Sequence, residues 1–365
     1  MMNDKAFCLA KIRNSLKNML GQPYLSGHEL SRLTVLATMV CGILMKKSCR
    51  LPEIAAANCR DIQQPSKEKQ IKRWLLNKHT SYLYHYLPYI SELLRSLAES
   101  GKLVLSIDGS VAGRGCMVLM LSVIVRKRAI PVIWRVYKAK KGHLPEQAHR
   151  ELLAELAPLI PAGTSVIIVG DGEYDGCDWQ ADIRALGWHY VLRTAKNSLV
   201  ETEPGEIISI GSMSPEASQP YFMLYDLRFS AKKYGPVNLL IQEHPQYKEP
   251  LYLITTLEFP PQIAQYYQQR FKIETFFSDQ KSRGFNLHRS HLSDPKRLEK
   301  LLIASCLAYI FCLLAGEMAV NSLFYSRIHR PDRCDLSRFA LGLRFIHWLV
   351  EQRQWRPFRL VMKIE

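Results

Sequence analysis

The hydrophobic period of the chain changes at Gly101, and this change limits its fold more than any other feature. Before Gly101, apolar residues recur at helical spacing, as they do over 33–44 and 90–97. After it come three short runs rich in Val, Ile and Leu, at 102–110, 116–127 and 129–141. We therefore predict an all-helical domain over 1–100, followed by three neighbouring strands.

The next segments alternate between helix and strand patterns. An amphipathic stretch at 145–160 and a shorter one at 178–187 predict helices, and the apolar runs that follow them predict strands. The order β-β-β-α-β-α-β predicts an α/β fold with a ribonuclease H-like mixed sheet over 101–325. Some other mixed α/β fold is the alternative.

The rest of the chain has three further parts. A polar stretch rich in Gly, Pro and Ser predicts a β-rich insertion at about 201–250, after which 251–257 returns to the main sheet. Long helical patterns follow at 262–285 and 297–319. Residues 326–365 contain nine Lys and Arg against four Asp and Glu, and predict a short basic helical tail.

Charge indicates the kind of partner. The chain has 365 residues, with 47% hydrophobic and 22% charged residues, which excludes wholesale disorder. Its 49 Lys and Arg against 33 Asp and Glu give a net charge of +16, and this favours nucleic acid as the partner. A solvated basic surface without a partner is the alternative.

Cysteine usage and apolar runs bear on the compartment. The nine cysteines form no Cys-x-x-Cys pair, so we expect buried thiols in a reducing cytosol. The amino terminus carries acid early and lacks a secretory pattern, which favours a cytoplasmic location. Two long uncharged runs, 33–45 and 301–315, are shorter than the ~20 residues of a spanning helix. We interpret them as buried core helices and expect no membrane partner.

Two basic segments are candidates for DNA contact. A helix that Pro65-Ser66 would begin and cap carries Lys67, Lys69, Lys72, Arg73 and Trp74, and with the helix before it loosely resembles a helix-turn-helix. A second segment has seven cations and no acid: Arg126, Lys127, Arg128, Arg135, Lys138, Lys140 and Lys141. Each segment also has an interpretation without DNA contact. The first would be a solvated helix face, and the second a solvated strand edge whose charges resist pairing with another strand.

Two aspartates stand where strands are predicted to end. Asp108 ends an apolar strand before Gly109, and Asp171 follows the apolar run 166–170. Carboxyl ends of neighbouring strands meet at the edge where α/β sheets bind ligands, and converging carboxylates favour Mg²⁺ or Mn²⁺. Each could instead be a turn aspartate before glycine. We interpret the nearby acids Glu173, Asp175 and Asp178 as loop and helix-start residues.

The helix after Pro261 carries a spaced set of functional side chains. Tyr267, Arg270, Glu274 and Lys281 are separated by 3, 4 and 7 positions. At about 100° per residue they share a stripe roughly 60° wide on one face of a continuous helix. These four residues are therefore predicted to act together.

Over about 100–325, the chain resembles bacterial insertion-sequence transposases of the DDE class. Their third motif reads Tyr, two residues, Arg, three residues, Glu, six residues, Lys, and all four positions match here. The first acid corresponds to Asp108 in SIDGS, the second to Asp171 in IIVGDGEYD and the third to Glu274. Arg193 ends the segment Tyr-Val-Leu-Arg that follows the second acid in relatives, and a β-rich insertion between the second and third acids also fits.

The resemblance implies a metal-dependent, cut-and-paste DNA transposase. The three acids would hold two Mg²⁺ ions, with Mn²⁺ as an alternative, for phosphoryl transfer. Tyr267, Arg270 and Lys281 would hold the bent DNA strand, with Arg193 as a further contact. The partner would be double-stranded DNA, both as transposon ends and as target. A homodimer would bind this DNA in the bacterial cytoplasm, in association with the nucleoid. A catalytically silent DNA-binding protein and a nuclease without strand joining are the alternatives.

Overall fold

The computed structural model describes residues 4–21, 24–139, 143–203, 205–213, 220–243, 249–333 and 335–355. Within them, six helices precede the first strand. They are α1 (Asp4–Leu20), α2 (Gly27–Lys46), α3 (Leu51–Ala55), α4 (Gln64–Leu76), α5 (Tyr82–His85) and α6 (Leu87–Ala98). Ser26 and Glu29 form a capping box at the start of α2. By contrast, α4 begins at Gln64, and no side chain caps it, so the predicted Pro65-Ser66 cap is wrong.

One mixed sheet organises the remainder of the described chain. Its ten strands are β1 (Lys102–Ala112), β2 (Cys116–Val125), β3 (Arg128–Tyr137), β4 (Ser165–Gly170), β5 (His189–Arg193), β6 (Leu199–Glu201), β7 (Ile207–Ser209), β8 (Tyr221–Phe229), β9 (Tyr234–Gln242) and β10 (Leu251–Thr255). Their order is β3-β2-β1-β4-β5-β10-β9-β8-β6-β7. β1, β2 and β3 are antiparallel neighbours, whereas β4 and β5 run parallel to β1.

The segment predicted as an insertion extends this sheet. β10 pairs with β5 through Leu253 and Arg193, which confirms the predicted return to the main sheet. β9 then pairs with β10, and β8 with β9. The edge of β10 is thereby covered, because its backbone groups are satisfied by the inserted strands.

Seven helices complete the described structure. They are α7 (Glu146–Leu156), α8 (Cys177–Ala185), α9 (Pro260–Gln269), α10 (Phe271–Gln280), α11 (Pro295–Val320), α12 (Tyr325–Ile328) and α13 (Arg338–Glu351). By length and composition α2 and α11 could each cross a membrane, although 89% of the most apolar window of α11 is buried inside the fold. α11 therefore serves as a central packing element.

The carboxyl-terminal segment is better packed than its basic composition indicates. α13 packs on α11, and its Phe339, Ile346 and Val350 side chains are buried. The helices approach so closely that a Cβ at Gly342 would lie 1.7 Å from the Cys312 carbonyl oxygen. α13 thus contributes to the core, while the last ten residues of the predicted tail lie outside the described part.

The cysteines follow the expectation of buried thiols in most cases. Eight are described, all are free, and seven of them are buried. Cys59 is exposed, and Cys334 lies outside the described residues.

Candidate active site

Asp108 and Asp171 occupy matching positions on two adjacent parallel strands. Ser106 of β1 pairs with Val169 of β4, and each aspartate lies two residues further along its own segment. β4 ends at Gly170, but β1 continues to Ala112 because β2 still pairs with it, with Met120 opposite Asp108. The prediction that β1 ends at Asp108 is therefore wrong. The carboxylate still lies at an open edge because β4 stops short of it.

The pKa of Asp108 is unusually high for an aspartate. Burial is the main cause that raises its pKa from 3.8 to about 7, and the negative charge of Asp171 adds to the effect. The backbone N–H of Gly109 donates to Oδ1 over 2.7 Å, and this bond together with the charge of Arg270 opposes the increase. The two aspartates therefore form a carboxyl pair whose negative charge is incompletely compensated.

A tight turn fixes Asp171 after β4. Its Oδ1 accepts a hydrogen bond from the Glu173 N–H over 3.1 Å, and its carbonyl accepts one from the Tyr174 N–H over 3.1 Å. This is local side-chain and backbone capping typical of aspartate in turns.

The neighbouring acids are occupied by local partners. Glu173 accepts from the Leu144 N–H over 2.8 Å, and Asp175 from the Thr194 hydroxyl over 2.7 Å. Asp178 lies in the first turn of α8 and pairs with Lys232 at 3.0 Å. The structure is consistent with the interpretation of these three as loop and helix-start residues.

The helix predicted over 262–285 is divided and shorter than expected. α9 and α10 meet at Arg270, and α10 ends at Gln280. Lys281 has φ −98° and ψ −123°, so it lies outside the helix, and the prediction that the four residues share one face of a continuous helix is wrong. Lys281 still reaches the site, because its Nζ donates to the Ser110 hydroxyl over 2.7 Å. Ser110 and Asp108 share one side of β1 by strand alternation.

Arg270 and Glu274 form an ion pair beside the aspartates. Arg270 Nη2 lies 2.7 Å from Glu274 Oε1, and the guanidinium is 4.4 Å from the centre of the Phe271 ring. Arg270 is only 7% exposed, and its Nε has no hydrogen-bond partner among the described residues. The Glu274 side chain is half exposed.

The described side chains do not form a complete metal-binding site. No group of three or more His, Cys, Asp or Glu residues there is arranged to hold a metal ion. The carboxylate of Glu274 is paired with Arg270 in this structure. The site thus consists of an aspartate pair, with Glu274 held at its margin.

Tyr267 and Arg193 lie near the same edge but differ in accessibility. Tyr267 is 3% exposed and packs with Val169 and Val191 against the sheet. Its ring is therefore covered by the core in this structure. Gly170 pairs with Leu192, so Arg193, the last residue of β5, lies beside Asp171, and it is exposed.

The basic helix α4 combines an exposed face with a core residue. Lys69, Lys72 and Arg73 are exposed, and Lys67 is half-buried. Trp74 is 3% exposed and its Nε1 donates to the Arg32 carbonyl over 3.0 Å. The prediction that Trp74 contacts DNA is wrong, because the indole packs in the interior.

Three of the five described cations in the segment 126–141 pair with acids from other elements. Arg128 Nη1 lies 3.0 Å from Asp279 Oδ2, and its side chain is 14% exposed, so it is largely covered in this structure and its role in DNA contact stays a prediction. Arg126 lies 3.6 Å from Glu317, and Arg135 pairs with Glu155. Lys127 is exposed, Lys138 donates to the Ser293 carbonyl, and Lys140 and Lys141 lie outside the described residues.

Two buried residues next to the aspartates, His149 and Tyr174, were not predicted from the sequence. The ring of His149 on α7 lies 4.8 Å from that of Tyr174, and burial lowers the pKa of His149 to about 4. Burial, followed by the charge of Asp108, raises the pKa of Tyr174 above its usual range. The Tyr174 hydroxyl and His149 Nε2 have no hydrogen-bond partner among the described residues. The one available signal was the position of Tyr174 three residues after Asp171.

Acidic side chains at the carboxyl ends of parallel strands, surrounded by Arg193, Arg270 and Lys281, define an α/β protein with a site suited to phosphate chemistry. The profile of the transposase DDE domain matches residues 99–311, more than half of the chain. The chain belongs to this family, which confirms the predicted class; the insertion-sequence type stays a prediction.

Two solved structures show weaker similarity. One is a piggyBac transposase synaptic complex with hairpin DNA, at 11% identity and a TM-score of 0.46, covering 98% of this chain and 83% of that one. The other is Aa-Ago with externally bound siRNA, at 11% identity and a TM-score of 0.24, covering 67% of this chain and 37% of that one. No curated protein matches the chain significantly.

Proposed function

We propose that this protein is a cut-and-paste transposase of the insertion-sequence type, which cleaves transposon-end DNA and joins the freed 3′-hydroxyl to target DNA. The observation that carries the proposal is the matched position of Asp108 and Asp171 on parallel strands of a chain that belongs to the transposase DDE family. In this interpretation β1 to β5 are the ribonuclease H-like core, with the β-rich insertion beyond them.

The donor set suits a hard divalent cation. Carboxylate oxygens are the ligands that Mg²⁺ and Mn²⁺ prefer, and the raised pKa of Asp108 indicates a negative pair that a cation would relieve. Asp108 and Asp171 would hold the ions, and Glu274 would join them on leaving Arg270. When bound, two such ions activate the attacking oxygen and stabilise the leaving oxygen in phosphoryl transfer.

The basic residues around the pair have separate tasks. Arg270 is oriented by packing against Phe271 and offers a guanidinium to a DNA phosphate beside Asp108. Lys281, held by Ser110, places a second positive charge on the same side of β1. Tyr267 supports Arg270 from within the core, and Arg193 is an exposed contact next to Asp171.

Double-stranded DNA is the proposed partner, both as transposon end and as target. The net charge of +16 and the exposed Lys69, Lys72 and Arg73 support this choice. We propose that the chain acts as a homodimer on DNA in the bacterial cytoplasm, as the insertion-sequence resemblance implies.

The test uses a duplex taken from the inverted repeats that flank the reading frame, with a supercoiled target plasmid and Mg²⁺. The proposal expects cleavage at the repeat end and covalent joining to the plasmid, and chelation by EDTA should abolish both. Cleavage without joining would identify a nuclease. Specific binding without either reaction would identify a catalytically silent DNA-binding protein.

A further inference from the structure

A cavity of about 550 Å³ lies in the helical part of the molecule, away from the acidic site. Four arginines from four different segments line it: Arg13 from α1, Arg32 from α2, Arg60 from the α3–α4 connection and Arg73 from α4. The lining contains no Asp or Glu. Cations that converge on one concave space can all face the same anionic group.

These four guanidinium groups have no paired acid within the described chain. None of their side chains forms a hydrogen bond or ion pair with another described residue, whereas Arg128, Arg150 and Arg270 all have acidic partners. Together with hydrogen bonds from Ser26, the positive charge of Arg32 contributes to lowering the pKa of Glu29. The carboxylate of Glu29 itself accepts a hydrogen bond from the Ser26 N–H in the capping box. Four like charges around one cavity repel each other, so the arrangement favours an anionic occupant.

The remaining lining supplies hydrogen-bonding groups and an aromatic floor. Asn58, Gln70 and Asn77 present amides, and the buried Trp74 closes the base. The volume lies within the range of small-ligand sites, and planar guanidinium groups match phosphate oxygens in pairs. We propose that this cavity binds a phosphate ester, either the phosphate of a free nucleotide or a phosphodiester of DNA.

Cys59 offers a direct measure of occupancy. It lines the cavity and is exposed, whereas the other seven described cysteines are buried. In a full-length chain carrying Cys334→Ser, the rate of maleimide labelling should therefore report access to the cavity. Cys59→Ser, which should abolish labelling, verifies the assignment.

The experiment measures this rate with AMP, with a short DNA duplex, and with NaCl at matched ionic strength. The proposal expects saturable protection, about tenfold when the ligand is at ten times its Kd, because the free fraction falls as 1/(1+[L]/Kd). Protection by AMP alone identifies the nucleotide phosphate, and protection by the duplex identifies the DNA phosphodiester. Protection by neither would overturn the proposal.

Variants separate the cavity from general charge. Arg32→Gln and Arg73→Gln should lose the protection, while Lys17→Gln, an exposed charge one turn beyond Arg13 on α1, should retain it. If Arg32→Gln does not fold, Arg32→Lys keeps the charge without the planar fork and should weaken the protection. Undiminished protection in the folded arginine variants would contradict the proposal. Labelling needs no strand cleavage, so the result is independent of the proposed catalysis.

Discussion

Arg270 and Glu274 are joined across the junction of α9 and α10, with Nη2 2.7 Å from Oε1. The pair adjusts the charge around Asp108, because Arg270 lowers the pKa of that carboxyl and Glu274 raises it. It also occupies the carboxylate of Glu274, the third acid of the proposed site. The state of this ion pair is therefore central to the proposed chemistry.

Replacing Glu274 by Gln should abolish catalysis while leaving DNA binding intact. The change removes a proposed ligand charge but not the exposed cations of α4. Loss of an outer partner of a metal site costs about 10–100-fold, so the loss of a ligand should reduce end cleavage by more than about 100-fold. Gel analysis of cleaved end DNA and a mobility-shift titration give the two readouts. Glu258→Gln, an exposed acid before α9, is the control, and equal loss in both variants would contradict the assignment.

Removing Lys69 and Lys72 together should weaken binding to any duplex. If both contact phosphates, the slope of log K against log salt should fall by about 1.8, since each contact contributes about 0.9. Titrations at several salt concentrations measure the slope. The double variant Lys17→Ala, Lys46→Ala removes the same charge elsewhere in the helical part. Identical slopes for the two variants would show that α4 makes no specific contribution.

Arg128→Gln should affect stability and spare DNA binding. Asp279 would remain buried without its partner, and breaking a buried ion pair in this way costs about 3–5 kcal/mol. Urea denaturation should register the loss in the free energy of unfolding. Lys127→Gln, in the same turn but exposed, should have little effect on unfolding. If Arg128→Gln is as stable as the wild type but has a reduced salt slope, Arg128 contacts DNA and the expected structural role is wrong.

Gly342→Ala should loosen the carboxyl-terminal helix. The added Cβ would meet the Cys312 carbonyl at 1.7 Å, and the backbone of α11 cannot yield as a flexible side chain would. Overpacking of this kind costs about 1–3 kcal/mol despite the better helix propensity of alanine. Thermal unfolding measures the loss, and Gly27→Ala is the control, since nothing lies within 4 Å of that position. An unchanged melting temperature for Gly342→Ala would mean that α13 does not pack against α11 as described.

His149→Phe should remove part of the acid sensitivity of the fold. Burial lowers the pKa of His149 from 6.5 to about 4, so the unfolded chain takes up this proton first as the pH falls. The stability is therefore complete above about pH 6.5 and declines toward pH 4, by about 3 kcal/mol from this group. Urea denaturation at pH 7 and pH 4.5 should show a smaller difference for His149→Phe than for the wild type. His28→Phe, at an exposed position, should behave like the wild type; an unchanged difference for His149→Phe would contradict the prediction.

Local patterns were sufficient for much of the site. The strands around Asp108 and before Asp171 were predictable because strand formation depends on runs of neighbouring apolar residues, and the spacing of Tyr267, Arg270 and Glu274 is set by one continuous segment. Where the prediction failed locally, the cause was a partner elsewhere: β1 extends past Asp108 because β2 pairs with it. Lys281 lies outside α10 and is fixed by Ser110, 171 positions away.

The amino-acid sequence by itself determined the order of most helices and strands, the placement of Asp108 in β1 and of Asp171 directly after β4, and the family. Only the tertiary structure decided which charged side chains are paired with each other and which are available to bind a partner. Arg128 is neutralised by Asp279, 151 positions away, while Arg13, Arg32, Arg60 and Arg73 converge without an acid. The physical reason is that period and propensity act over a few residues, whereas burial and charge pairing depend on groups that only the folded chain brings together.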